Sequence, residues 1–208
     1  MNYEILSAFV LATALLSLSP GPDNIYVLTQ SIAHGKKYGL ATTAGLMTGC
    51  LVHTTLLALG VSVLIKNNPV IFTFIRVFGA LYLFYLAYMV FRSSPAIRID
   101  RALPPEKGLG RLYRQGFIMN VLNPKVTIFF LAFFPGFLFS ETLGMVWQFY
   151  ILGGLFILVS FTIFAGIAVL SGTISNYIRH RPGVGSWLKW LQVVVFTGIG
   201  IYLLFSQN

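Results

Sequence analysis

Charge is what this chain has least of. Only 9% of its 208 residues are Asp, Glu, Lys or Arg, against roughly 25% in soluble domains. Acidic residues are the scarcer sign, 5 against 14 basic ones, which leaves a net charge of +9. Cysteine occurs once, at Cys50, so neither an intrachain disulfide nor a thiolate metal cluster is available. The histidines, His34, His53 and His180, are too scattered for the helical pairing of an intramembrane metalloprotease. No Gly-rich loop ends in Lys-Ser or Lys-Thr, so ATP hydrolysis within the chain is not expected. No cofactor is implied.

What is present is apolar: 57% of residues are hydrophobic and the mean hydropathy is +0.82. That excludes disorder, which needs the opposite balance, and argues against a soluble globular domain. In a soluble protein the positive excess would suggest nucleic acid. Here the basic residues fall between apolar runs, so membrane topology explains them, the lipid bilayer is the expected partner, and no nucleic acid is expected.

Six apolar segments are legible, at about 5–33, 38–65, 69–91, 115–139, 146–172 and 186–205. They are too long for core strands and do not alternate, so helices are predicted rather than a β-barrel. A membrane helix takes about 20 residues, so six with turns use up a single transmembrane domain over 1–208. The start, Met1 to Leu6, has Glu4 and no basic residue, unlike a cleavable signal, and the first run is read as a retained span. Lys36 and Lys37 lie in the first loop. Arg92, Arg98, Arg101, Lys107, Arg111 and Arg114 lie in the third, and Arg179, Arg181 and Lys189 between the last two spans. The opposite side has only Lys66. Lys and Arg stay cytoplasmic, so both termini are expected on the periplasmic side.

Two segments are interrupted, at Ser19-Pro20-Gly21-Pro22 and at Asn123-Pro124. The prolines Pro20 and Pro124 are 104 residues apart, half the chain length of 208. The spacing predicts two three-helix repeats, 1–91 and 115–208, joined by a cytoplasmic linker over 92–114. Because three is odd, the second repeat enters the membrane from the opposite face. The fold class expected is therefore an all-α membrane protein of six helices, two inverted repeats with broken first and fourth helices. Proline suits a helix's first turn, and Ser19 and Asn123 precede prolines as capping residues. Half-helix N-termini there suit a carboxylate and freed carbonyls suit an ammonium, together a zwitterion. The alternative is a mere kink, which membrane helices tolerate.

The run Ser19-Pro-Gly-Pro-Asp-Asn-Ile-Tyr-Val27, the glycines Gly39, Gly45 and Gly49, then Asn120-Val-Leu-Asn-Pro-Lys125 and Phe129-Phe-Leu-Ala-Phe-Phe-Pro135 resemble the LysE/RhtB family of bacterial amino-acid exporters. The resemblance implies a secondary carrier of the bacterial inner membrane. It would export amino acids such as homoserine, threonine, leucine or lysine, driven by the proton motive force. Neutral substrates and proton antiport are favoured. Cys50 and Gly136 stand where members often carry an acidic residue and a glutamine.

Ionisable groups inside a membrane are costly and mark function. Asp23, His53, Arg76 and Lys125 are such groups. The substrate site is expected to draw on Ser19, Pro20, Gly21, Asp23 and Asn24 at the first break and on Asn120, Asn123, Pro124 and Lys125 at the second. Asp23 and His53 are the expected proton-coupling groups. Asp23 and Lys125 either pair with each other or hold the two ends of a substrate. His53 continues a face of Ala41, Gly45 and Gly49 and is either an interhelical hydrogen-bond donor or a proton carrier. The glycine faces also permit a homodimer. Arg76 is expected to snorkel.

Two other functions are weighed. A divalent-metal exporter would need several converging carboxylates, and only Asp23 lies within a span. An intramembrane serine hydrolase would need a base beside its nucleophile, and Ser160 and Ser171 have no evident partner.

Overall fold

The structure is a computed structural model that describes residues 2–19, 21–62, 69–94, 106–180 and 183–205. Among the described residues every regular element is helical. Pro20, Lys66, Arg98, Arg101 and Arg181 fall outside them.

Helix α1 spans Tyr3–Leu18 and α2 spans Pro22–His34. Helix α3, Lys36–Leu56, runs on through a π turn at Leu57–Val61. Helix α4 covers Pro69–Arg92 and α5 covers Leu109–Val121. Helix α6 is short, Pro124–Ile128, and continues as a π turn, Phe129–Phe133, and a 3-10 turn, Phe134–Phe137. Helix α7 spans Met145–Val169, α8 spans Ser171–His180 and α9 spans Gly183–Phe205.

Four stretches are long and apolar enough to cross a membrane: Lys36–Gly60, Thr73–Arg92, Met145–Val169 and Gly183–Phe205. Two bent pairs raise the total to as many as six, α1 with α2 at 59° and α5 with Pro124–Phe137 at 51°. These are the segments expected to be broken. The chain is a multi-pass membrane protein. Two features differ from the sequence reading. Helix α5 starts at Leu109, inside the stretch read as linker. Helix α8 occupies part of what was read as the connection before the last span.

Local chemistry explains the helix ends. Asn2 caps α1, its Oδ1 accepting from Glu4 N at 3.0 Å and Ile5 N at 3.3 Å. Gly35 joins α2 to α3 at φ +98°, a conformation that favours glycine. The loop before α7 is tied by Gln148. Its Oε1 accepts from Phe139 N (2.8 Å) and Ser140 N (3.0 Å), and its Nε2 donates to the carbonyls of Ser140 (2.8 Å) and Leu143 (2.6 Å). The second turn of α9 is tied to the end of α4 by Lys189, whose Nζ donates to the Ser93 carbonyl at 2.8 Å.

Helix α3 is the hub of the packing, lying against α2, α5 and α7, while α4 lies against α9 and α1 against α7. The α3–α5 crossing is made by absent side chains. A Cβ on Gly45 would strike the Tyr113 carbonyl, and one on Gly116 would strike the Thr42 carbonyl. Small residues at such a crossing let backbones meet. The glycine face that the sequence offered for a dimer is thus used within the protomer. Beside it lies an aromatic core in which Phe9, Phe129, Phe130, Phe133 and Phe134 are almost fully buried. Phe129 and Phe133 stack at 4.3 Å and Phe130 and Phe134 at 4.2 Å, which fixes the π and 3-10 turns after α6.

Candidate functional site

The first break is stitched rather than loose. Ser19 still belongs to α1, its N–H donating to the carbonyls of Leu15 (3.0 Å) and Leu16 (3.2 Å). The residue that caps α2 is Gly21, which offers no side-chain hydrogen bond, and Pro22 is at the first helical position. The sequence reading of Ser19 as a cap is corrected accordingly. The carbonyl of Ser17, freed at the end of α1, accepts from Asn24 Nδ2 at 2.7 Å. A side chain of α2 therefore reaches back to hold the end of α1. Among the described residues no side chain caps α2, and Pro22 has no N–H, so the positive end of the helix is presented by the N–H groups that follow it.

The second break follows its expected chemistry. Asn123 is the cap of α6 and Pro124 is its first residue. Asn123 Oδ1 accepts from Lys125 N at 3.1 Å, while its carbonyl accepts from Thr127 N at 3.0 Å and Thr127 Oγ1 at 3.1 Å.

The two breaks meet. Asn123 Nδ2 donates to Asp23 Oδ2 at 3.1 Å, across 100 residues of sequence. Asp23 is only 8% exposed and sits in the first turn of α2. Lys125 is directed elsewhere. Its Nζ lies 4.9 Å from the ring centroid of Phe196 on α9, within cation–π range. A Cβ on Gly21 would lie 3.7 Å from the same Nζ, so the lysine passes over the bare cap of α2.

A cavity of about 50 Å³ lies between these segments, room for a few waters. Gly21, Asp23, Asn24, Asn120, Asn123 and Lys125 line it. Six of the nine residues expected to bind substrate are thus brought together. Ser19 and Pro124 are beside the cavity rather than on its lining, and Pro20 is outside the described residues. Ser19 Oγ is buried and makes no hydrogen bond among the described residues.

His53 stands one layer back. Its Nε2 bonds to the Asn120 carbonyl at 3.2 Å, and its ring lies 5.4 Å from that of Phe130. A carbonyl only accepts, so Nε2 carries the hydrogen. The imidazole thereby holds the last turn of α5. The Asn120 side chain turns toward Cys50, with Nδ2 3.5 Å from the sulfur. A Cβ on Gly49 would collide with it, 2.6 Å from its Oδ1.

Sequence reasoning missed several lining groups. Met47 and Leu46 come from α3, beside the Cys50 that the resemblance singled out, and Phe156, Ser160 and Phe164 from one face of α7. Ser160, for which no partner was evident, shares a 2.9 Å hydrogen bond with Ser17. The four-residue spacing of Phe156, Ser160 and Phe164 marks a common face; nothing local marks Ser17 as its neighbour. Among the described residues no three His, Cys, Asp or Glu side chains converge as a metal site would require.

Comparison with known proteins identifies the family. A family described as LysE type translocator matches residues 14–207. The chain belongs to the LysE type translocator family. Two relatives, from Salmonella typhimurium and Salmonella typhi, are homoserine/homoserine lactone efflux proteins. Each is 34% identical over 179 residues, covering 86% of this chain and 86% of the relative. No solved structure matches. As a LysE type translocator the protein is a transporter, not an enzyme.

Proposed function

We propose that this LysE type translocator exports neutral amino acids across the bacterial inner membrane by proton antiport. Homoserine is the first substrate to test, by analogy with the two Salmonella efflux proteins. One observation carries the reading: Asp23 and Lys125, an acid and a base flanking two half-helix N-termini, line one buried cavity. An amino acid is a zwitterion. Its ammonium matches Asp23 and its carboxylate matches Lys125 together with the uncapped N–H groups of α2. Asp23 is also the acidic group on the lining, so a proton and the substrate ammonium compete for one carboxylate, the simplest route to antiport. A divalent-metal exporter would need more than this one carboxylate.

An inverted repeat of six spans, the arrangement read from the spacing of the breaks, would give alternating access about that site. Some of the packing pairs are compatible with a two-fold relation between halves, although α2 also packs closely on α3 and α6 does not match this on α7. Helix α3 packs on α7, α4 on α9, and α1 on α7 as α5 does on α3. Both termini are assigned to the periplasmic side by the distribution of Lys and Arg.

The test is export of labelled homoserine from proteoliposomes with an imposed pH gradient. Uptake or release that follows the gradient and collapses with a protonophore supports the reading. Movement indifferent to the gradient removes the antiport step, and no movement of any neutral amino acid removes the function.

A further inference from the structure

One pair of side chains in the cavity is used by neither end of a zwitterion. Ser17, on the last turn of α1, and Ser160, on α7, share a hydrogen bond of 2.9 Å between their hydroxyl oxygens. They are 6% and 2% exposed, and both line the cavity. Two hydroxyls carry two protons, and one mutual bond engages one of them. The other has no acceptor among the described residues, because neither serine makes the bond to its own helix carbonyl that Ser31, Thr43 and Thr54 make. The pair also retains unused oxygen lone pairs. Its neighbours along the chain are apolar, Leu16 before Ser17 and Phe156 and Phe164 one helical turn to either side of Ser160, while Asn24 reaches the Ser17 carbonyl rather than either hydroxyl. A donor left idle in such a wall is costly unless something else uses it.

We infer that Ser17 and Ser160 are the specificity-determining residues of this translocator, reading a hydroxyl on the side chain of the transported amino acid. The inference rests on the proposed export of neutral amino acids. With the ammonium at Asp23 and the carboxylate at Lys125, the side chain is what remains to meet the wall formed by α1 and α7. A hydroxylated side chain accepts the free proton and donates to a serine oxygen, whereas an alkyl side chain of the same shape leaves both unmet. A site built to hydrogen-bond a substrate hydroxyl rejects the isostere lacking it far more strongly than an apolar pocket rejects one extra methylene.

The experiment measures homoserine against norvaline, in which a methyl replaces the hydroxyl, by export from proteoliposomes. It uses the wild-type protein, Ser17→Ala, Ser160→Ala and the double variant. A Ser160→Cys protein keeps the size with a weaker donor, for the case that alanine unfolds the bundle. Wild type is expected to prefer homoserine by about tenfold or more, the worth of one to two buried hydrogen bonds. The preference should fall to within about twofold in the double variant and shrink in Ser160→Cys. A role confined to holding α1 against α7 would slow both substrates alike and leave their ratio unchanged; that result overturns the inference while leaving amino-acid export standing. A wild-type protein that moves neither compound overturns the inference, and one that moves no neutral amino acid at all overturns the export reading as well.

Discussion

Asn123 uses both ends of one amide to join the two broken helices. Its oxygen caps α6 through Lys125 N at 3.1 Å, and its nitrogen holds Asp23 of α2 at 3.1 Å. The roles cannot be exchanged. Turning the amide over would set its NH2 against an N–H donor and its oxygen against a carboxylate. The same side chain therefore starts one half-helix and positions the acid of the other.

Asn123→Asp tests that double role. The aspartate can still cap α6, but it faces Asp23 with a second carboxylate where a donor stood. Transport should drop severely while the protein still inserts. Asn123→Ala loses the cap, worth about 1 kcal/mol, and strips a buried carboxylate of its donor, worth about 1–3 kcal/mol. It should melt lower than Asn123→Asp at a pH that protonates one of the paired acids. Thermal unfolding in detergent, run beside proteoliposome export, separates the two effects; equal export by both variants and wild type would remove Asn123 from the site.

Pro124 keeps the second break open. Proline lacks the N–H that would bond back to α5 and clashes with the carbonyl four residues earlier. Pro124→Ala permits α5 and α6 to run on as one helix, withdrawing the N-terminal donors of α6 from the cavity. Export should fall at least tenfold with membrane insertion intact, as read by export assay and by yield of folded protein. Wild-type export would show that the 51° bend is set by packing alone.

The α3–α5 crossing makes a stability prediction with an internal control. Gly45→Ala drives a methyl into the Tyr113 carbonyl, and Gly116→Ala drives one into the Thr42 carbonyl. Each should cost about 1–3 kcal/mol, as overpacked cores do. Gly154→Ala, on α7, meets nothing within 4 Å and should be neutral or slightly stabilising, since alanine is the better helix former. Melting temperatures of the three variants decide it, and a Gly45→Ala protein as stable as Gly154→Ala would mean that the helices are not in backbone contact.

How much of this was legible beforehand depends on range. The break at Asn123-Pro124 could be read because cap, proline and helix start are adjacent. At Ser19-Pro20-Gly21-Pro22 the motif offers two prolines, and the helix starts at the second, since Ser19 N–H is still engaged by α1. Helix α8 escaped a search for long apolar runs because its apolar residues, Ile174, Tyr177 and Ile178, form one stripe on a polar helix. That the two breaks lie together accords with their half-chain spacing, but the partners expected for Asp23 were Lys125 or a substrate, and the side chain that bonds it is Asn123. The Ser17–Ser160 contact, 143 residues apart, had no such spacing rule to reveal it, and neither had Lys125 over Phe196.

The last prediction separates two groups that the sequence offered together as proton carriers. Asp23 lines the cavity and is held there, among the described residues, by one side-chain donor, Asn123. His53 is behind the lining, with Nε2–H committed to the Asn120 carbonyl and its ring against Phe130. A proton carrier must exchange with the cavity, and His53, which would take its proton on Nδ1 while Nε2–H stays on the Asn120 carbonyl, is not on the cavity lining. Removing the Nε2–H donor by substitution leaves that buried carbonyl unpaired, at about 1–3 kcal/mol. His53→Gln retains an N–H that can reach the same carbonyl, so it should export at near the wild-type rate and still follow an imposed pH gradient. His53→Leu removes the donor and should be destabilised by that amount, with whatever protein folds still coupled to protons. Asp23→Asn keeps the size and can still accept from Asn123, so it should fold, yet export should no longer respond to the gradient. Flux in proteoliposomes with and without a pH difference, with melting measured in parallel, reads all three. Loss of gradient dependence in His53→Gln, with its persistence in Asp23→Asn, would transfer the coupling role from the cavity wall to the layer behind it.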